Sequence, residues 1–401
     1  MEPTQAIPKV FVSRETEQEI GSGLRSLRPF QIEKVKGDLS AGTLAWVVGR
    51  TGKFIGQGFT NPGKEIAFQI VSIFEKEKID AAFFEARVLA ADEFRQKTLK
   101  FSDAYRLFYG AADGIPGLVI DRFNNICSLQ ISCPGVEKYK QAIADALMKI
   151  NGVDTVIERN DFRNREKLGL AVKKGVLAGK ARVQTVINEG GVKFEVDVMR
   201  GHKTGFYLDQ AENRVAAEKY CFAGCEMLDV FSYTGGFGLH AANANASVTM
   251  VDMKEAIGQA RRNVKLNKFE ERVSFIEGEA FEETKKLISR PERFDVVSVD
   301  PPAFIQKPSE KARGKKAYHQ INYNCMKLLV ENGVLVTSSC SHFLSMDSFL
   351  KILGDAASNA GKVASIIELR SQSRDHLMPL HGGSAASYLK CAFLRVNSKK
   401  S

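Results

Sequence analysis

Apolar and polar residues alternate with a period of two in several short runs before residue 75. Gly42–Val48 alternates as a half-buried strand, Gly49–Gly52 reads as a turn and Phe54–Phe59 as the returning strand. Asn61–Gly63 is a second turn and Ile66–Val71 a further strand. From residue 80 the period lengthens, and Ala81–Ala91 has helical spacing. Ala104–Tyr109 leads into Asp113–Asp121, a turn followed by a strand, and Cys127–Ser132 reads as its partner. Val136–Ile150 is helical in period, while Thr155–Glu158 and Gly191–Asp197 read as strands. Beyond residue 190 strands and helices alternate regularly. The strands are Met227–Phe231, Ser247–Val251, Val273–Ile276, Phe294–Val299 and Gly333–Ser338. That rhythm predicts a doubly wound α/β domain, a parallel sheet with helices on both faces. The expected division is a small β module over 1–75, an α+β middle domain over 76–190 and the α/β domain over 191–401. The Lys/Ser-rich C-terminus reads as a frayed tail.

A chain of 401 residues suits two or three such domains. No apolar run approaches the roughly 18 residues needed to span a bilayer. Met1–Val10 lacks the apolar core of a signal peptide, so a cytosolic location is expected. The seven cysteines are odd in number, which argues against a disulfide framework. Cys221 and Cys225 have no second Cys or His pair at zinc spacing, so no metal site is expected. Lys plus Arg exceeds Asp plus Glu by 57 to 47, a net charge of +10 that suits a polyanionic partner.

The candidate chemistry lies at the ends of the predicted parallel strands, where open α/β sheets bind ligands. The strand containing Asp229 runs through Phe231 into Ser232-Tyr-Thr-Gly-Gly-Phe-Gly238, which opens a helix. Glycines there let a ligand approach the backbone, with Gly235 and Gly236 at the turn. The spacing differs from the dinucleotide fingerprint, and no Lys follows to make a phosphate loop. Asp252, at the tip of the second strand and followed by Met253, is placed to bind ribose hydroxyls; a plain helix cap is the competing reading. Glu279, after the third strand, is placed to accept from an adenine amino group. Asp300-Pro-Pro-Ala-Phe304 follows the fourth strand, and its two prolines stiffen the loop that carries Asp300. Thr337-Ser-Ser-Cys-Ser-His342 follows the fifth and brings the Cys340 thiol to the same sheet edge. A thiolate there can add to C6 of a cytosine and make C5 nucleophilic. The other six cysteines read as buried and inert. Lys307, Lys311, Arg313, Lys315 and Lys316 read as a phosphate-contacting loop beside Asp300.

Gly205-Phe-Tyr-Leu-Asp-Gln210 with Asn213 and Arg214, Phe231–Gly236, Asp300–Phe304 and Ser338–Ser341 together resemble the bacterial large-subunit rRNA cytosine-C5 methyltransferase I family. The resemblance extends over nearly the whole chain and includes Asp113–Asp121 and Glu158–Lys167. It implies a PUA-like RNA-binding module, an α+β middle domain and a Rossmann-like class I methyltransferase domain, in that order. It implies S-adenosyl-L-methionine as cofactor and 23S rRNA as partner, with neither membrane nor metal, and leaves a homodimer open. By the resemblance, Phe206, Tyr207, Asp209 and Gln210 would form the lip of the cofactor pocket. Asp229, Phe231, Ser232, Tyr233, Thr234, Gly235, Gly236, Asp252, Met253, Glu279 and Asp300 would line the rest. Cys340 would be the nucleophile, and Asp300 would hydrogen-bond the target base. One departure stands out: Leu27-Arg-Pro-Phe30 occupies the place of a His-Pro-Trp-like stretch. No second Cys follows Pro302, which fits a family that uses one Cys and leaves the base for β-elimination unassigned.

Two other functions compete. Asp-Pro-Pro with a following aromatic also serves enzymes that methylate exocyclic base amines and need no cysteine. Here Ala303 displaces the aromatic by one place, and Cys340 favours carbon chemistry. The other is a non-catalytic RNA-binding assembly factor on the same fold, against which Asp252, Asp300, Cys340 and the glycine loop all count.

Overall fold

The computed structural model describes residues 7–61, 65–162, 165–381 and 387–399. Parts of the Asn61–Gly63 turn, of Met1–Val10, of Glu158–Lys167 and of the C-terminal tail lie outside them. The chain divides into two compact units. One comprises 1–187, 196–208 and 374–386; the other comprises 188–195, 209–373 and 387–401.

The first unit carries two sheets. In the six-stranded sheet the order is Ser26–Leu27, Phe68–Ser72, Phe54–Thr60, Leu44–Gly49, Lys9–Val12 and Ile32–Lys36. The three strands expected from alternation lie side by side at its centre. Lys9–Val12, Ser26–Leu27, Ile32–Lys36 and the helix Arg14–Gly21 were not expected. Ile32–Lys36 is an edge strand with exposed charges, so its sequence carries little alternation. Val10, Val12, Ile20, Val47 and Ile70 form the module's core. The five-stranded sheet runs Lys173–Gly179, Thr155–Asn160, Ile126–Ile131, Leu118–Phe123, Ala104–Tyr109. Helices Ala81–Glu93 and Lys140–Met148 supply Phe84, Val88, Ile143 and Leu147 to its core. Asp80 caps the first of these helices by accepting the Phe83 N–H at 3.1 Å.

The second unit contains a seven-stranded sheet. Its strands are β1 Glu226–Val230, β2 Ser247–Asp252, β3 Val273–Glu277, β4 Phe294–Val299, β5 Leu329–Ser339, β6 Lys362–Arg370 and β7 Lys390–Ser398. The order is β3-β2-β1-β4-β5-β7-β6, so the sequence reverses direction at β1. Its helices are α1 Ala211–Glu218, α2 Gly236–Asn243, α3 Lys254–Asn267, α4 Ala280–Ile288, α5 Lys311–Lys327 and α6 Met346–Asn359. β1 to β5 pair in parallel, as expected. The sheet is nonetheless mixed, because β7 inserts antiparallel between β5 and β6. β7 reaches Ser398, whose N–H donates to Glu331 at 3.0 Å, so the Lys/Ser tail expected to fray starts at the strand's last residue, and 400–401 lie outside the described residues. Its apolar residues Cys391, Ala392, Phe393 and Leu394 are buried, while the Lys/Ser run that suggested a tail begins only at Ser398. β5 begins four residues earlier than expected, at Leu329. The polar Asn332 and Gly333 interrupt its hydrophobic run, with Asn332 at positive φ.

Candidate active site

β1 ends at Val230, and the chain leaves the sheet through two strained residues. Phe231 and Tyr233 have φ of 62° and 48°, and Gly235 has 88°. Phe231 was expected to close the strand, but its left-handed backbone starts the loop instead. Strain of this kind at non-glycine residues costs on the order of 1–3 kcal/mol each and clusters at binding sites. The fold supplies several restraints. Phe231 and Ser232 donate their N–H groups to Val251 O at 3.0 and 3.3 Å. The Tyr233 N–H donates to Asp252 Oδ2 at 2.7 Å, and the buried Asn263 amide donates to Thr234 O at 2.9 Å.

The glycines make room for protein as much as for a ligand. A Cβ on Gly236 would meet Arg214 Cδ at 2.7 Å, and one on Gly238 would meet Met250 Cε at 2.6 Å and Asp229 Oδ2 at 3.1 Å. Gly235 remains the glycine that its backbone angle requires. Asp229 is buried and uses both oxygens inside the fold. It accepts the Gly238 N–H at 2.8 Å and the Ser298 hydroxyl at 2.5 Å, tying α2 and β4 to β1. Burial raises its carboxyl to about 6, against the pull of those two donors.

Asp252 accepts from Tyr233 and, through Oδ1, from the Met253 N–H at 2.7 Å, so its carboxylate braces the glycine loop. Helix capping belongs instead to Glu279, which accepts the Glu282 N–H at 3.0 Å at the start of α4. Ser232 lies in the loop with its Oγ buried and without a partner among the described residues. An unmatched buried hydroxyl between a glycine turn and a strand-end carboxylate fits a polar nucleoside ligand.

Asp300 is held through its backbone and its side chain. The Asp300 N–H donates to Val230 O, and the Gln210 amide donates to Asp300 Oδ1 at 2.8 Å. Gln210, only 2% exposed, is itself fixed by Asn213, whose amide donates to Gln210 Oε1 at 2.7 Å. Arg370 in turn donates to Asn213 Oδ1 at 3.0 Å. Asp209 accepts the Tyr388 hydroxyl at 2.7 Å. Phe206 and Tyr207 belong to the first unit, where the Lys203 ammonium lies 4.4 Å from the Tyr207 ring centre.

Cys340 follows the last residue of β5. The residue is partly buried, and its Sγ lies 4.0 Å from Pro301 O, so the thiol sits beside the Asp300 loop. Ser341 locks this arrangement. Its Oγ accepts the Ile305 N–H at 3.1 Å and pairs with the Tyr318 hydroxyl at 2.8 Å. Of the other cysteines, only Cys221 is not fully buried. Burial pushes the thiols of Cys127 and Cys391 up to about 12 and that of Cys133 to about 11. These are poor nucleophiles.

The basic segment is not a loop. Lys311, Arg313, Lys315 and Lys316 lie in the first two turns of α5, and only Lys307 precedes a short 3₁₀ turn. Helical period was hidden there because Gly314 replaces the apolar residue expected on the inner face. A Cβ on Gly314 would strike Ile305 Cγ1 at 2.3 Å and Phe304 O at 2.6 Å, so its smallness lets α5 pack onto the Asp300 loop. Sequence reading missed Asn263, Tyr318, Tyr388 and Lys390, residues whose roles depend on distant partners.

Residues 165–370 match the model of the S-adenosylmethionine-dependent methyltransferase family, and residues 10–72 match that of a PUA-like domain. The ribosomal RNA large subunit methyltransferase I of Escherichia coli O157:H7 is 35% identical over 351 residues, 86% of this chain and 88% of its own length. The chain belongs to this S-adenosylmethionine-dependent methyltransferase family. A relative from Methanocaldococcus jannaschii, named among the ribosomal RNA large subunit methyltransferases, is 41% identical over 360 residues, 89% of this chain and 90% of its own. Among solved structures, the methyltransferase SMU.776, crystallised with SAH, shares the fold. Its TM-score is 0.81 at 19% identity, covering 96% of this chain and 99% of that one. The family's cofactor is thus S-adenosyl-L-methionine, and the methyltransferase fold is of class I, preceded by a PUA-like module. Among the described residues no group of His, Cys, Asp or Glu is arranged to hold a metal, and no helix is long and apolar enough to cross a membrane.

Proposed function

We propose that this methyltransferase acts on C5 of a cytosine in large-subunit, 23S, ribosomal RNA through a covalent adduct with Cys340. The carrying observation is the partly buried Cys340, its thiol against Pro301 O, in the loop whose Asp300 carboxylate is oriented by Gln210. Bound S-adenosylmethionine supplies an electrophilic methyl group. Cys340 adds to C6 of the base, an Sγ–C6 bond forms, and the C5=C6 electron pair becomes available at C5 for methylation. Loss of the C5 proton then returns that pair and expels the thiolate. Asp300 hydrogen-bonds the base and holds it in register with Cys340. The base is flipped out of its stack to reach the cleft, at a cost of a few kcal/mol. Asp209, Gln210, Ser232, the Tyr233–Gly236 turn, Asp252 and Met253 form the cofactor side of this proposal.

Two surfaces support RNA as the substrate. Lys311 and Arg313 crowd the positive end of the α5 dipole, where cations are unfavourable without an anion. Glu310 offers Arg313 only a distant partner at 3.9 Å. In the PUA-like module Phe30 is 77% exposed, a platform on which an unpaired base can stack. The relatives named for large-subunit ribosomal RNA support the same substrate.

The test is to incubate the protein with labelled cofactor and unmodified large-subunit rRNA and to map the methylated nucleotide by mass. A 5-methylcytosine, absent with Cys340→Ala, is expected. Full methylation by Cys340→Ala, or methyl on an exocyclic amine, would sink the adduct.

A further inference from the structure

Lys390 opens β7 directly across from Ser339 in the antiparallel register with β5. Its side chain is almost wholly buried, 3% exposed, and ends beside the strand tip that carries Cys340. Nζ donates to Ser341 O at 2.7 Å and to Tyr388 O at 2.8 Å. A buried lysine is costly unless something nearby makes use of its charge. Two backbone carbonyls give it acceptors, yet neither requires a full positive charge. The carbonyl it grips belongs to Ser341, the residue after Cys340, and Ser339 opposite it is the residue before, so the ammonium flanks the segment that bears the thiol. Burial draws the ammonium down to about 8, with the Cys340 interaction opposing that fall.

We propose that Lys390 is a positioning residue that holds Cys340 as a thiolate, resting on the reading of Cys340 as the nucleophile. The ammonium stays clamped by Ser341 O and Tyr388 O while the Cys340 S–H bond breaks and its proton leaves to solvent. The resulting sulfur anion is stabilised by the adjacent cation, without any redox step. The same cation favours expulsion of the thiolate when the adduct collapses. It acts through Cys340 and not on the base. The other charged or titratable groups around this pair are Asp300 from the loop after β4, Tyr318 from α5, His342 after β5 and Cys391 in β7. Asp300 opposes thiolate formation. Tyr318 and Cys391 are both raised and stay neutral near pH 8.

The test is the pH profile of Cys340 alkylation by iodoacetamide, read at its own peptide by mass spectrometry, on the full chain without RNA or cofactor. Wild type should show half-maximal reactivity below the ordinary thiol value of about 8.5. Lys390→Met, which keeps most of the stem and removes the charge, should shift the profile up by about one unit or more, a tenfold loss of rate at pH 7. Lys390→Arg should retain the low profile. It also serves where Lys390→Met fails to fold. An unshifted profile in folded Lys390→Met, or a wild-type profile at or above 8.5, overturns the proposal. Because the readout needs no methylation, it can fail while Cys340→Ala still abolishes methyl transfer. Conversely, a methylating Cys340→Ala would remove the covalent mechanism and leave the alkylation profile as it is.

Discussion

At the residue scale, two helical glycines in the methyltransferase unit invite opposite outcomes. Gly258 in α3 has open space where a Cβ would go. Gly258→Ala should stabilise the protein by up to about 1 kcal/mol, because alanine loses less backbone entropy in a helix. Gly314 in α5 is pressed onto backbone and Ile305 of the Asp300 loop. Gly314→Ala should cost about 1–3 kcal/mol and lower methylation further than its stability loss explains, since the loop must move. Chemical denaturation paired with activity at low temperature separates the two effects. Equal stability and activity for Gly314→Ala and wild type would show that the loop yields freely.

At the element scale, α1 and α2 are joined by a buried charge network. Arg214 forks onto Glu189 at 2.6 and 2.7 Å, and the His240 ring lies 3.2 Å from Glu189 and 2.7 Å from Glu218. Burial alone would raise Glu189, but Arg214 and His240 outweigh it and hold the carboxyl at about 2. Burial would lower His240, but the two carboxylates outweigh it and raise the imidazole. The signs follow by linkage. Glu189 contributes stability in full above its unfolded value of about 4.3, and this is lost as pH falls toward about 2, on the order of 3 kcal/mol in all. His240 contributes in full below about 6.5 and loses that contribution as pH rises through its elevated value. His240→Gln should therefore destabilise most below pH 6.5, with the gap to wild type closing on the alkaline side. Urea denaturation from pH 4 to 9 measures this, and a gap independent of pH would rule out a charged His240. The same network explains Gly236, whose missing side chain leaves room for the Arg214 stem.

At the scale of the whole molecule, the net charge of +10 becomes specific where α5 begins. A triple variant of Lys311, Arg313 and Lys316 to Gln should weaken RNA binding across sequences. It should also reduce the slope of log affinity against log salt by about two to three. Titrations between low and moderate salt test this, and an unchanged slope would place the RNA elsewhere. The parallel strands were legible because buried strands in α/β domains are continuous apolar runs ended by glycine or acid. Asp252, Asp300 and Cys340 were legible for the same reason, since each follows such a run. β6 and β7 escaped because their pairing is antiparallel and non-local, and the first two turns of α5 read as a loop because Gly314 interrupts their inner face.

The sequence by itself determined the alternation of elements, the acid and thiol at the strand ends and the family resemblance, since these are set by local order along the chain. Tertiary structure decided which partners each residue meets. It gave Glu279 a helix-capping bond and made Asp252 brace the glycine loop. It set Gln210 against Asp300 across 90 residues. It also buried Lys390 beside the strand end that bears Cys340, although 49 residues separate Lys390 from the Ser341 carbonyl it grips. Hydrogen bonds and burial between distant segments have no trace in local pattern, because they arise only once the sheet has closed.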